Sequence, residues 1–253
     1  MATRIDFNCD MGEGFGAWRM GYDDQVIQYV TSANIACGFH AGDPVQMRKT
    51  VQMAEARSVG VGAHPGFPDL RGFGRRNVAA SPQEVKDDVV YQIGALIPFT
   101  RAKRLQHVKP HGALYNMAAA GGDLARAICD AVLETDPQMI LVVLAGSRWV
   151  EIAKGMGVHV AREVFADRAF NADGTLVART RQGAVIHDSD AVVERSLRMI
   201  TEGRVTAITG EEVNVEADTI CLHGDTPGAV DLARALKAAF EIAGVRLVPM
   251  GQP

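Results

Sequence analysis

Short apolar runs alternate along this chain with longer segments of helical periodicity. Ile5 to Cys9 reads as a strand, Asp23 to Thr31 as a short helix and Ala33 to Cys37 as a second strand. Pro44 to Ser58 reads as a helix, with Asp43 as N-cap and Pro44 at the first helical position. Val59 to Ala63 is a third strand, and Ser81-Pro82-Gln83-Glu84 has the form of a capping box opening a helix to about Arg104. Gln106 to Lys109 is a fourth strand, followed by a helix over Gly122 to Glu134. Met139 to Ala145 is wholly apolar, the pattern of a strand buried on both faces of a parallel sheet. Strands are also expected at Val158 to Val164, Thr219 to Leu222 and Val245 to Val248, and helices at Asp190 to Glu202 and Pro227 to Ala243. Phe165 to Val215 is the least regular stretch and reads as an insertion, with a hairpin around Asn171-Ala172-Asp173-Gly174.

Repeated strand-then-helix units imply parallel strands joined by right-handed crossovers. Seven or eight such units in 253 residues predict one α/β domain over residues 1–253, a closed (β/α) barrel. A Rossmann sheet is disfavoured: Gly12, Gly14 and Gly16 are spaced GxGxG, and no GxGxxG follows the first strand. No GxxxxGK[ST] phosphate loop occurs either. Hydrophobic residues make up 47% and charged residues 22%, as in ordinary globular proteins, and a net charge of −4 argues against nucleic-acid or membrane partners. The N-terminal residues carry no apolar core of signal-peptide length, and Met139 to Gly146 is too short to span a bilayer. The cysteines, Cys9, Cys37, Cys129 and Cys221, form no CxxC pair, so a reducing cytoplasm is the expected compartment.

The candidate chemistry is positional. Asn8, Asp10 and Glu13 follow the first strand, His40 and Asp43 the second, and His64 and Asp69 the third. Lys109 and His111 follow the fourth, Glu163, Asp167 and Arg168 the sixth, and His223 and Asp225 lie near the end. Loops after barrel strands open on one face, so these groups are expected to converge. A lone histidine at a strand end is more often structural; repeated clusters at equivalent places are harder to dismiss. His107, His159 and His187 fall outside the pattern and read as structural, and the strand-end cysteines as packing residues. Asp10, His40, His64 and His111 have the ligand types for a divalent metal, although no HExxH-type spacing supports one. Lys109 suits an oxyanion or a carboxylate. The Gly/Arg-rich segment Gly66 to Arg76 could close over an anionic substrate, and the helix after Gly224-Asp225-Thr226-Pro227-Gly228 offers an anion site at its N-terminus.

At these clusters the sequence resembles the LamB/YcsF family, which supplies the A subunit of bacterial ATP-dependent 5-oxoprolinase. The matching stretches are Asp6 to Gly16, Ser32 to Pro44, Gly62 to Asp69, Val108 to Tyr115, Glu163 to Arg168 and His223 to Gly228. The resemblance implies a TIM-like (β/α) barrel of about seven strands, related to polysaccharide deacetylases and other barrel hydrolases. It implies opening of the 5-oxoproline lactam to L-glutamate, with ATP as co-substrate and two further subunits, B and C, as partners. Without a phosphate loop here, phosphoryl chemistry is expected to involve those partners. On this reading Asp10 is base or metal ligand, His64 and His111 are acid/base partners, and Lys109 stabilises the oxyanion. Arg168 clamps the substrate carboxylate. Asp167, His223 and Asp225 orient these groups, and Asn8, Glu13, His40, His223 and Asp225 contact substrate. The rivals are a stand-alone metal-dependent deacetylase or amidohydrolase on the same barrel, and a non-catalytic binding subunit.

Overall fold

The computed structural model describes residues 3–224 and 228–251. Seven parallel strands close a barrel: β1 (Arg4–Met11), β2 (Ser32–Ala36), β3 (Gly60–His64), β4 (His107–Val108), β5 (Ile140–Leu144), β6 (His159–Phe165) and β9 (Thr219–Leu222). Closure is direct, because β1 pairs with β2 on one side and with β9 on the other. The strand expected at Val245 to Val248 is β10 (Arg246–Leu247), which lies outside the closed circle and pairs with the start of β1 through Arg4 and Ile5.

Helices wrap the barrel: α1 (Asp23–Val26), α2 (Pro44–Glu55), α3 (Pro82–Leu96), α4 (Gly112–Ala119), α5 (Asp123–Thr135), α6 (Arg148–Gly155), α7 (Ser189–Thr201) and α8 (Ala229–Ile242). The Asp43 side chain accepts from the Val45 and Gln46 N–H groups, and Ser81 with Glu84 forms the full capping box of α3. Two expected helices are shorter than their patterns. The one to Arg104 ends at Leu96 and gives way to a 3₁₀ turn, Ile97–Phe99, at Pro98, which lacks an N–H. The one to Thr31 ends at Val26, because the Thr31 hydroxyl and N–H are bonded to the Phe7 backbone and draw that residue into the entry to β2. The expected start of α8 at Pro227, with Thr226 as cap, lies outside the described residues. Helices α4 and α6, of eight residues each, are too short to show a periodic pattern. The hairpin β7 (Arg204–Thr206) and β8 (Glu212–Asn214), largely exposed and polar, was likewise not anticipated. The expected hairpin at Asn171 to Gly174 is present, flanked by an antiparallel bridge between Phe170 and Leu176. Among the described residues, no helix is long and apolar enough to cross a membrane.

What positions the site is the alternation along β1. Ile5, Phe7, Cys9 and Met11 join the apolar core, with Phe7 edge-on to Phe240 of α8 at 6.0 Å. Asp6, Asn8 and Asp10 take the other face and fill the lumen. The lumen is therefore polar along β1. Asp6 accepts from Thr31, Ser32 and Thr219 at its foot, and Asn8 bonds Asn34, Glu163 and Thr219 above. The His107 ring fills the space beside Gly62, where a Cβ would fall 2.2 Å from the imidazole, and its Nε2 meets Asn34 Oδ1 at 2.7 Å.

Gly62→Ala should destabilise the fold by about 1–3 kcal/mol, since His107 is pinned and cannot give way; an unshifted urea midpoint would show that the lumen has slack. A second expectation concerns pH. Burial, only partly offset by three hydroxyl donors, pushes the Asp6 carboxyl from 3.8 up to about 6. A carboxyl raised on folding favours the native state below its unfolded pKa and loses that advantage as pH rises through the folded value. Asp6→Asn should therefore match the wild type near pH 4 and exceed it at pH 7 by up to about 3 kcal/mol. A wild-type-minus-variant stability difference that is flat across this range in denaturant titrations would overturn it.

Candidate active site

Asp10 stands at the top of the lumen. Its Oδ1 accepts from Asn34 Nδ2 at 2.8 Å and from Lys109 Nζ at 2.9 Å, while Oδ2 lies 3.4 Å from His64 Nε2. Lys109, from the end of β4, is buried. Its ammonium also reaches Glu163 Oε1 at 2.9 Å and Asn8 Oδ1 at 3.3 Å, and it touches Cys221 Sγ at 3.1 Å. Glu163, on β6, accepts in addition from Asn8 Nδ2 and from the Tyr115 hydroxyl. One buried cation is thus held between two carboxylates, with every neighbouring amide engaged. Burial pushes the Asp10 carboxyl up, but His64 and Lys109 outweigh it and hold the group well below the usual carboxylate range. Burial also opposes charge on Lys109, and Asp10, Cys221 and Glu163 more than restore it.

Beside this network stands a cage of three histidines. His64 Nδ1 lies 2.6 Å from Lys109 O, and His111 Nε2 lies 2.8 Å from Phe73 O. Their remaining nitrogens, His64 Nε2 and His111 Nδ1, face each other at 2.9 Å. His40 stacks on His111 with ring centroids 3.8 Å apart. Glu13 Oε1 is 3.5 Å from both His40 Nε2 and His111 Nδ1. Burial pulls both His40 and His111 well below the ordinary imidazole value, and neighbouring histidines add to it. The loop after β3 closes the cage. Gly74, at φ +62°, packs so tightly that a Cβ would lie 2.8 Å from both His40 and His111. Arg76 of that loop is paired with Asp69, while Arg75 lies over the Phe73 ring.

On the opposite wall, His223 Nδ1 lies 2.9 Å from both Asp167 oxygens. That contact fixes the tautomer and leaves Nε2 as the nitrogen able to exchange a proton. Asp167 is held below its usual pKa, burial being outweighed by His223. Arg168 donates to the Ala184 and Val177 carbonyls of the insertion, so part of its guanidinium holds that segment down.

A cavity of about 640 Å³ opens between these walls, lined by Asp10, Glu13, His64, Lys109, His111, Arg168 and His223, and by Arg75 and Arg179. The strand-end residues singled out in the sequence therefore meet, with qualifications. His40 sits behind His111, Asn8 lies beneath Asp10 and Asp167 stands behind His223. Asp225 lies outside the described residues. Glu163, named in the sequence among the groups after the sixth strand, also belongs to the site, as do Asn34, Tyr115 and Arg179, to which sequence reasoning gave no role. For Glu163 a further signal was available, its place directly before the apolar Val164 and Phe165 in β6, because an acid in a buried strand needs a partner.

The sequence profile of the LamB/YcsF family matches residues 5–253. The A subunit of 5-oxoprolinase from Pyrococcus furiosus is 53% identical over 250 residues, covering 98% of each chain. Its counterpart of the same name from Coprothermobacter proteolyticus is 56% identical over 252 residues, covering 99% of this chain and 97% of its own. The crystal structure of a lactam utilization protein from Thermus thermophilus superposes with a TM-score of 0.91 at 48% identity, over 98% of this chain and 100% of that one. A peptidoglycan deacetylase from Bacillus subtilis shares the fold alone, at a TM-score of 0.51 and 12% identity over 99% of this chain and 89% of that one. With the profile matched along nearly its whole length, the chain belongs to the LamB/YcsF family.

Proposed function

We propose that this protein is a hydrolase that opens the 5-oxoproline lactam to L-glutamate, as the A subunit of a 5-oxoprolinase whose partners, subunits B and C, take part in ATP use. The names of its half-identical relatives support the substrate and the need for partners. The observation that carries the chemistry is Asp10: a carboxylate at the floor of a small-molecule cavity, kept ionised and fixed through one oxygen by Lys109 and Asn34.

A five-membered lactam is a weak electrophile, and phosphorylation of its oxygen at the expense of ATP supplies the drive. Asp10 Oδ2 takes a proton from the attacking water as the oxygen–carbon bond forms. The carbon–nitrogen bond then breaks, His223 Nε2, oriented by Asp167, delivers a proton to the leaving nitrogen, and a second water cleaves the resulting acyl phosphate to glutamate and inorganic phosphate. The ammonium of Lys109 is already engaged by Asp10, Glu163 and Asn8. We therefore assign it to holding Asp10 ionised and in register rather than to an oxyanion. His64 completes the wall beside Asp10 Oδ2. Arg75, Arg168 and Arg179 offer the positive wall for the substrate carboxylate or a transferred phosphoryl group. The four cysteines are free and buried, in keeping with a cytoplasmic enzyme. The histidine cage keeps a second reading in play, a metal-dependent amidohydrolase that needs neither ATP nor partners.

Glutamate formation from 5-oxoproline separates the two. It should require ATP and both partners; turnover by this chain alone would favour the amidohydrolase. In the reconstituted complex, Asp10→Asn should lower kcat by roughly 10²-fold or more with the fold intact by circular dichroism. Wild-type activity in that variant would remove Asp10 from the mechanism. Asp167→Asn keeps a hydrogen bond but favours the other His223 tautomer; kcat should fall on the order of 10²–10⁴-fold with KM little changed. A change confined to KM would make this pair a binding element instead.

A further inference from the structure

We infer that the cage of Glu13, His40, His64 and His111 is a binding site for one divalent transition-metal ion of the zinc type. Carbonyl oxygens only accept hydrogen bonds. The contacts to Lys109 O and Phe73 O therefore place a proton on His64 Nδ1 and on His111 Nε2. In the neutral rings the lone pairs of His64 Nε2 and His111 Nδ1 are then directed at each other across 2.9 Å. A shared proton or a cation relieves that repulsion. His40 decides between them, because both of its ring nitrogens are fully buried and, among the described residues, make no hydrogen bond. A proton shared by His64 and His111 does nothing for His40, whereas an ion bound by all three does.

The spacing agrees. A tetrahedral ion with bonds of about 2.0–2.1 Å sets its ligand atoms about 3.4 Å apart. The three measured separations among these donors are 2.9, 3.5 and 3.5 Å, and one ligand atom from each of the four residues lies within 4.8 Å of the others. Three imidazoles and one carboxylate form a donor set that zinc and its neighbours favour over calcium or magnesium. The sequence pattern suggested Asp10 as the acidic ligand. The structure gives that place to Glu13, whose carboxylate converges with all three imidazoles, whereas Asp10 falls in a separate group and has Oδ1 engaged by Lys109 and Asn34. The other converging group, Asp10, Cys221 and His223, has the Lys109 ammonium against two of its members and does not invite a second cation. An ion in the cage would supply Lewis-acid polarisation or an activated water beside the cavity.

The inference stands on donor geometry and is independent of the lactam reading, so its test uses no substrate, ATP or partner. Full-length protein stripped with a chelator is titrated with Zn²⁺ by calorimetry and with Co²⁺ by visible absorption. One ion per chain is expected, with a tetrahedral Co²⁺ spectrum and a rise in melting temperature at saturating Zn²⁺. His40→Gln and Glu13→Gln should each weaken binding at least about tenfold, while Cys129→Ser, in α5, leaves it unchanged. Should either variant fail to fold, histidine ¹⁵N spectra of the wild type decide, with His64 Nε2 and His111 Nδ1 expected to shift on Zn²⁺ addition. Absence of saturable uptake, uptake insensitive to both substitutions, or unmoved histidine nitrogens would each overturn the assignment.

Discussion

Everything at the top of this barrel depends on one ammonium group. Lys109 Nζ sits between Asp10 and Glu163, out of contact with bulk water, and the amides of Asn8 and Asn34 complete the network around it. Desolvating such a set is costly, and it survives because almost every donor and acceptor is matched. Removing the lysine would leave two buried carboxylates without their counter-ion, which ties the charge state of Asp10 to the strands that hold Lys109 and Glu163.

TIM-like barrels usually fill their interior with branched apolar side chains. Here the lumen along β1 is a column of hydrogen bonds rising from Asp6 through Asn8 and Asn34 to Asp10, and apolar packing is displaced outward to the shell between strands and helices. That arrangement needs room, which explains Gly62 opposite His107. The histidine cage needs the same economy of volume at Gly74. The glycines in these segments are therefore as much part of the polar architecture as the groups that carry charge.

Much of this was legible in the sequence because two signals are local. Apolar runs of four to eight residues mark strands, and polar groups just beyond them mark the open face; Asp10, His64, Lys109, His111 and His223 were found this way and meet at one cavity. What the sequence hid depends on pairing across the barrel. Asp10 reads as a candidate metal ligand until Lys109 is seen to engage it. Glu163 reads as one acid of a cluster until it is found to be the second counter-ion of that lysine. Arg168 reads as a clamp, yet two of its contacts go to the backbone of the insertion, and no local pattern reports such contacts. Short elements such as α4, α6 and the β7–β8 hairpin escaped because eight residues or fewer carry too little periodicity.

The pairing of β1 with β9 has a consequence for how the molecule is made. Of the barrel strands β1 is synthesised before the others and finds β2 soon after, but its other edge waits more than two hundred residues for Thr219 to Leu222. Contacts of such long separation close slowly, and an unpaired strand edge invites association with other chains in the meantime. Until then Asp6, Asn8 and Asp10 give the waiting strand one polar face. The alternation that lines the candidate site thus also limits the apolar surface that the unpaired edge presents until the barrel can close.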